Sequence, residues 1–160
     1  MDSRLDTKAA IWAGVIAGAV FMMLEMVLVG TIGGDSPWAP PRMIAAMALG
    51  DGVLPPPATF DLGIMVVAIM IHLVFSVIFA VVLGWAISHW RLSLGAALGV
   101  GLVFGLLLYV VNFYLMTAAF PWFAMARNGI TIFAHAMFGL VLGWAYHAIA
   151  APRHHTGTVV

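Results

Sequence analysis

The stretch Phe79-Ala80-Val81-Val82-Leu83-Gly84-Trp85-Ala86 occurs a second time, as Phe138-Gly139-Leu140-Val141-Leu142-Gly143-Trp144-Ala145. Six of the eight positions are identical and the other two are conservative. A duplicated apolar segment in a chain of this size indicates an internal repeat, which is typical of membrane proteins built from copies of one unit.

The composition places the chain in lipid rather than in water. Of its 160 residues, 64% are hydrophobic and 8% are charged, whereas soluble domains are about 25% charged. The net charge of zero argues against nucleic acid as a partner, because that binding needs an excess of Lys and Arg. Cysteine is absent, which excludes disulfides, thiolate metal sites and thiol catalysis.

Four apolar runs reach the ~20 residues that a membrane-spanning helix needs. They lie at 9–30, 61–88, 94–118 and 128–150. The first exceeds the ~7–15 apolar residues of a signal peptide and no small-residue cleavage site follows it, so we interpret it as a retained helix. The predicted fold class is all-α, an integral membrane four-helix bundle.

The connection 31–60 holds most of the prolines. Within it, Pro40 and Pro41 suit the first turn of a helix and Gly50 suits its end, so a short helix is predicted over 40–50. This helix is too short to span, and we expect it at the membrane interface. Pro55-Pro56-Pro57 then favours an extended stretch.

The repeat predicts how the single membrane domain, residues 1–160, is organised. Repeat one covers about 9–90 and repeat two about 94–150, followed by a short polar tail at 151–160. Because each copy has two helices, both copies have the same orientation, which makes the repeat parallel. Outside the opening motif the aligned pairs are Gly14 with Gly101, Gly18 with Gly105, and Glu25 with Asn112.

Basic residues predict the orientation, because they are enriched on the cytoplasmic side. Arg4, Lys8, Arg91 and Arg153 fall on one side, and Arg42 and Arg127 on the other. Both termini are therefore expected in the cytoplasm. Tryptophan and arginine favour the membrane surfaces, and the predicted interfacial anchors are Trp38, Arg42, Trp85, Trp122, Arg127 and Trp144.

Small residues recur at four-residue spacing and therefore share a helix face. Small side chains let helix backbones approach closely in lipid, where the hydrophobic effect does not drive helix association. The predicted helix-packing residues are Gly14, Gly18, Gly84, Gly101, Gly105, Gly139 and Gly143.

Glu25 is the only acidic side chain in the interior of a predicted span, since Asp61 stands at the first position of its span. A carboxylate in hydrocarbon costs several kcal/mol unless it is paired, protonated or hydrated. Glu25 shares a helix face with Gly18 and should point into the bundle. With a rise of about 1.5 Å per residue, the outer half of the bundle also contains His72, Asn112 and His135. These four residues form the predicted polar site.

Such a site has several interpretations. Intramembrane ionisable groups mark ion or proton paths, and imidazole exchanges protons near neutral pH. Glu25, His72 and His135 could instead ligate a divalent metal. Haem is not favoured, because the two histidines lie at different depths. The structural alternative is a hydrogen-bonded clasp without further function, in which Glu25 is neutral or paired with a histidine and Asn112 donates a hydrogen bond across helices. No catalytic residues are predicted, since no second carboxylate in a span could orient a base.

Three segments carry a resemblance to a known family: Pro37-Trp38 with Pro41-Arg42-Met43, the stretch 54–61 (LPPPATFD) and the stretch 120–128 (FPWFAMARN). In these, the chain resembles a family of short uncharacterised proteobacterial four-helix membrane proteins whose members often carry the label sodium:proline symporter. Symporters of that kind resemble much longer bundles, so the resemblance implies a bacterial inner-membrane setting and no specific activity.

The function expected from the sequence is cation binding or passage through the polar site, with a proton or a divalent metal as the cation. The alternative is a non-catalytic accessory or assembly subunit of a larger membrane complex, such as a respiratory enzyme. Besides the lipid bilayer, the expected partner is a second copy of the chain or that complex, because glycine faces remain to be covered.

Overall fold

The structure, a computed structural model, describes residues 4–150, and the predicted polar tail at 151–160 lies outside them. No strand occurs within the described range. The α-helices are α1 Thr7–Thr31, α2 Ala39–Leu49, α3 Leu62–His89, α4 Leu94–Val110 and α5 Gly129–Ala150.

In the described range, four helical segments are long and apolar enough to cross a membrane: α1, α3, α4 with its continuation to Ala118, and α5. Large apolar side chains such as Trp12, Met70 and Leu107 are more than half exposed, as expected for a surface that faces lipid rather than water. The predicted all-α fold with four candidate spans is confirmed, and it indicates a membrane protein.

Each of these four helices begins at a residue with a capping side chain. The oxygens of Asp6, Asp61, Ser93 and Asn128 accept hydrogen bonds from the backbone N–H three residues further on, at 2.9–3.4 Å. Asp, Ser and Asn satisfy the free N–H groups of a first helical turn. These short polar residues define where each span begins.

The third span differs from the single helix predicted over 94–118. Its α-helix ends at Val110, continues as a π-helical turn over Val111–Leu115, and then tightens to a 3₁₀ turn over Met116–Ala118. The Arg127 Nε donates to the Phe113 carbonyl at 2.7 Å. Inside a membrane, backbone polar groups must find hydrogen-bond partners within the protein. The Arg127 side chain supplies such a partner to a carbonyl of the irregular turn.

The helices do not pack in a symmetric ring. α5 packs extensively against α1 and α4, and α1 packs against α3. α3 and α4 make few contacts with one another, although only residues 90–93 separate them. Residues of both helices line the cavity described below, so the cavity lies where α3 and α4 pack weakly against one another.

Glycines determine how closely the helices approach. A Cβ at Gly139 would overlap the carbonyl group of Gly101, and a Cβ at Gly105 would overlap the carbonyl oxygen of His135. α1 approaches α3 in the same way, because a Cβ at Gly14 would lie 2.8 Å from the Val77 Cα. In contrast, a Cβ at Gly95 or Gly99 of α4 meets nothing within 4 Å. Self-association through that exposed face stays a prediction.

Tyr146 connects three helices at the end of the bundle near the termini. Its hydroxyl lies 2.6 Å from the Ser88 Oγ on α3 and accepts a hydrogen bond from the Asp6 N–H at the start of α1, at 3.0 Å. Its ring is fully buried, and a Cβ at Gly84 would lie 2.6 Å from it. This half of the bundle is filled by side chains.

Candidate functional site

A cavity of about 610 Å³ occupies the other half of the bundle, within the ~300–1,000 Å³ range of small-molecule sites. Its walls come from α1, α3, the end of α4 and the start of α5. The rings of Phe79 and Phe138 line it, and beyond them the fully buried Leu83, Leu142 and Tyr146 fill the bundle. The cavity therefore has no continuation toward the termini.

A roof covers part of the far end of the cavity. It consists of α2 and the segment 111–126, which are joined where the Trp122 indole N–H donates to the Met43 carbonyl at 3.0 Å. Tyr109, Phe113 and Phe123 form an apolar cluster that packs against Met43 and other side chains of the roof. The short helix that the sequence predicted over 40–50 thus covers the site.

The two arginines predicted as interfacial anchors hold this roof in place. Arg42 donates from Nε to the Thr59 carbonyl at 3.0 Å and from Nη1 to the Val53 carbonyl at 2.8 Å, which fixes the proline-rich segment after α2. Arg127 lies with its guanidinium carbon 4.3 Å from the ring centre of Tyr114. Both arginines therefore hold segments of the roof in place through hydrogen bonds to backbone carbonyls. Their location at a membrane surface stays a prediction.

The four predicted tryptophan anchors divide between the two ends. Trp38 packs against Phe60 with the two ring planes tilted by 60° and their centres 5.0 Å apart, and Trp122 belongs to the roof. Trp85 and Trp144 are each 51% exposed and lie on α3 and α5 toward the end near the termini. Indoles at both ends of a bundle match the aromatic belts of membrane proteins.

All four residues of the predicted polar site line the one cavity. Glu25 is 5% exposed, and its Oε1 is buried without a hydrogen-bond partner among the described residues. Thr131 of α5 lies beside this carboxyl, and its hydroxyl donates to the Asn128 Oδ1 at 3.3 Å. Glu25 is therefore not paired with a histidine, as the clasp interpretation would allow.

His135 is held on both ring nitrogens. Its Nδ1 lies 2.8 Å from the Thr131 carbonyl, which can only accept, so Nδ1 carries the hydrogen. Its Nε2 then accepts from the Asn112 amide at 3.2 Å. This pair joins α4 to α5 across the irregular turn, and it is the interhelical hydrogen bond that the clasp interpretation predicts.

His72 is held on one nitrogen only. Its Nε2 donates to the Gly18 carbonyl at 2.9 Å, which leaves Nδ1 as an acceptor without a hydrogen bond in the described part of the chain. Phe21 of α1 contacts both histidines: its ring centre lies 5.3 Å from His72, stacked, and 4.8 Å from His135, edge to face. An aromatic ring thus lies against both imidazoles.

Within residues 4–150, no three His, Asp or Glu side chains are placed to hold a metal ion. His135 could ligate only through Nε2, because its Nδ1 donates to the Thr131 carbonyl, and ligation through Nε2 would break the hydrogen bond with Asn112. The geometry gives no support to joint metal ligation by Glu25, His72 and His135.

Sequence reasoning missed several residues of the site. Thr131 and Asn128 were not predicted, although Asn128 stands where an N-cap is expected and its Oδ1 accepts from the Thr131 N–H and hydroxyl. Phe21 lies one turn before Glu25 on the same face, a spacing that could have identified it. The π turn carrying Asn112 had no sequence signal.

No protein-family model, curated protein or solved structure matches this chain. The function is therefore inferred from the geometry of the cavity alone.

Proposed function

We propose that this chain is a membrane protein that binds a cation in the cavity, with Glu25 as the group that meets the positive charge. The observation that carries the proposal is the unpartnered Oε1 of a carboxyl that is 5% exposed. A carboxyl in such surroundings either keeps a proton or pairs with a cation. No Lys or Arg of the described chain is hydrogen-bonded to it, and Arg42 of the cavity wall donates to the Thr59 and Val53 carbonyls instead, so a cation paired with Glu25 would come from outside the described chain.

Binding is supported better than passage in this conformation. The half of the bundle near the termini is filled by buried side chains such as Leu83, Ile87 and Tyr146. The backbones of α4 and α5 touch at Gly101 and Gly139. A cation that enters the cavity has no open route beyond it, so transport would require the helices to separate.

Titration of the purified protein with inorganic cations and ammonium ions, followed by heat of binding, tests this function. We expect saturable binding of at least one cation class to the wild type and no binding to Glu25→Gln, because the amide has no charge to offer. The control is Asp51→Asn, which removes an exposed carboxyl outside the cavity and should bind as the wild type does. The proposal fails if no cation binds, or if Glu25→Gln binds equally well.

We also propose that the chain lies in the bacterial inner membrane as two parallel repeats with cytoplasmic termini. The glycine contacts support the repeat, because Gly18 packs on Ser76 and the aligned Gly105 packs on His135, the residue that aligns with Ser76. Equivalent glycines thus meet equivalent positions of the second helix of each copy.

Reporter domains fused after Arg91 and after Val160 test this topology. Both are expected to report the cytoplasm, because two spanning helices precede the first fusion and four precede the second. Signals from opposite sides of the membrane would contradict the parallel arrangement, and an extracytoplasmic signal from both fusions would contradict the cytoplasmic placement of the termini.

A further inference from the structure

Two hydrogen-bond acceptors of the cavity have no partner in the described part of the chain, the Glu25 Oε1 and the His72 Nδ1. The Nδ1 donor of His135 is used on the Thr131 carbonyl, and one of the two amide hydrogens of Asn112 is used on Nε2. Arg42, which also lines the cavity, directs its Nε and Nη1 to the Thr59 and Val53 carbonyls rather than to Glu25. The site is therefore complementary to a ligand that donates hydrogen bonds and carries positive charge.

Most of the remaining lining is apolar and aromatic. Six phenylalanines contribute, and they are Phe21, Phe75, Phe79, Phe113, Phe123 and Phe138. Aromatic faces attract organic cations, whereas they offer no ligand to a small, strongly hydrated metal ion. A cavity of about 610 Å³ is also far larger than an inorganic ion requires, so its size favours a ligand with an apolar body.

The packing around the cavity is weakest on one side. The roof covers part of the far end through the Trp122–Met43 hydrogen bond and the apolar cluster beneath it. Between α3 and α4 there is little contact, and residues of both helices line the cavity, among them Phe75 and Leu108. Phe79 and Phe104, with ring centres 6.4 Å apart, mark where α3 and α4 meet again. In a bilayer this gap faces the hydrocarbon.

We infer that the cavity binds a lipid-soluble organic cation of the alkylammonium class. The ammonium group meets the Glu25 carboxylate and the His72 Nδ1, and the alkyl chain lies among the phenylalanines and leaves between α3 and α4. This inference rests on the proposed function and narrows its ligand from any cation to an amphiphilic amine. The proton on Glu25 is displaced to solvent when the ammonium ion binds, so charge balances within the site.

The probe for this inference is radiolabelled dodecylammonium, added to the protein in phosphatidylcholine nanodiscs. Binding to empty nanodiscs is subtracted, because the amine also partitions into lipid. Glu25→Gln removes the charge, and Ile71→Trp fills the cavity from α3. The matched control is Ile78→Trp on the same helix, because Ile78 is 49% exposed and does not line the cavity. Size-exclusion profiles establish that each variant is folded.

We expect one saturable site in the wild type and in Ile78→Trp. Affinity should fall at least about tenfold in Glu25→Gln, the size expected for the loss of a charged hydrogen bond, and also fall in Ile71→Trp. Dodecyl sulfate should not compete. The inference is overturned if no binding exceeds that of empty nanodiscs, if dodecyl sulfate competes, or if Glu25→Gln binds as the wild type does. If inorganic or short ammonium ions bind and dodecylammonium does not, this inference fails while cation binding stands.

Discussion

Replacing Gly139 with leucine is expected to prevent the chain from forming this bundle. Even the Cβ of an alanine at this position would overlap the Gly101 carbonyl group and lie 2.9 Å from the Gly105 backbone nitrogen. These atoms belong to the helix backbone and cannot turn aside as a side chain can. Overpacking in a well-packed core costs about 1–3 kcal/mol, occasionally more, and leucine adds three further carbon atoms to the clash.

Thermal unfolding of purified variants in one detergent measures this effect. Gly139→Ala should melt well below the wild type, and Gly139→Leu should be recovered aggregated or not at all. Gly99→Ala and Gly99→Leu are the matched controls, because a Cβ at Gly99 meets nothing within 4 Å. If Gly139→Ala and Gly99→Ala unfold at the same temperature, the close α4–α5 contact is not what stabilises the bundle.

The sequence identified the spans because their signal is local. Asp61 and Ser93 lie directly before apolar runs, and the structure begins α3 and α4 at these caps. The sequence did not reveal which helices touch. Lipid contact makes most of the circumference of α3 and α4 apolar, so hydropathy does not show the face that each buries. The glycines at four-residue spacing mark that face, but they do not show which helix packs against it.

The residues of the polar site could be predicted from the sequence, whereas the hydrogen-bond partner of each residue could not. Glu25 stood out because a carboxylate in a span is costly, and His72, Asn112 and His135 followed from depth. The partner of each group depends on helix rotation and on the π turn at Val111–Leu115. A π turn contains one residue more than an α-helical turn, so it rotates every following side chain about the helix axis. The local sequence gives no signal for that change.

Glu25→Met is expected to stabilise the protein when no ligand is bound. The Glu25 Oε1 makes no hydrogen bond in the described structure, and a buried polar group without a partner costs about 1–3 kcal/mol. Methionine is unbranched and adapts to irregular space, so it removes that cost and keeps most of the packing. The loss of the contact with Thr131 reduces the gain without reversing it.

The same substitution separates a binding site from a structural clasp. If Glu25 served only to hold helices together, its removal would lower the unfolding temperature. His135→Leu provides the comparison, since His135 bonds Thr131 and Asn112 and its loss should be destabilising. A cation that binds the native state stabilises it by about 2.7 kcal/mol when its concentration is a hundred times its dissociation constant. With that cation present, the unfolding temperature of the wild type should therefore reach or exceed that of Glu25→Met. The unfolding temperature of Glu25→Met should not change when the cation is added. A melting temperature that falls in Glu25→Met without ligand would show that Glu25 contributes to stability rather than to binding.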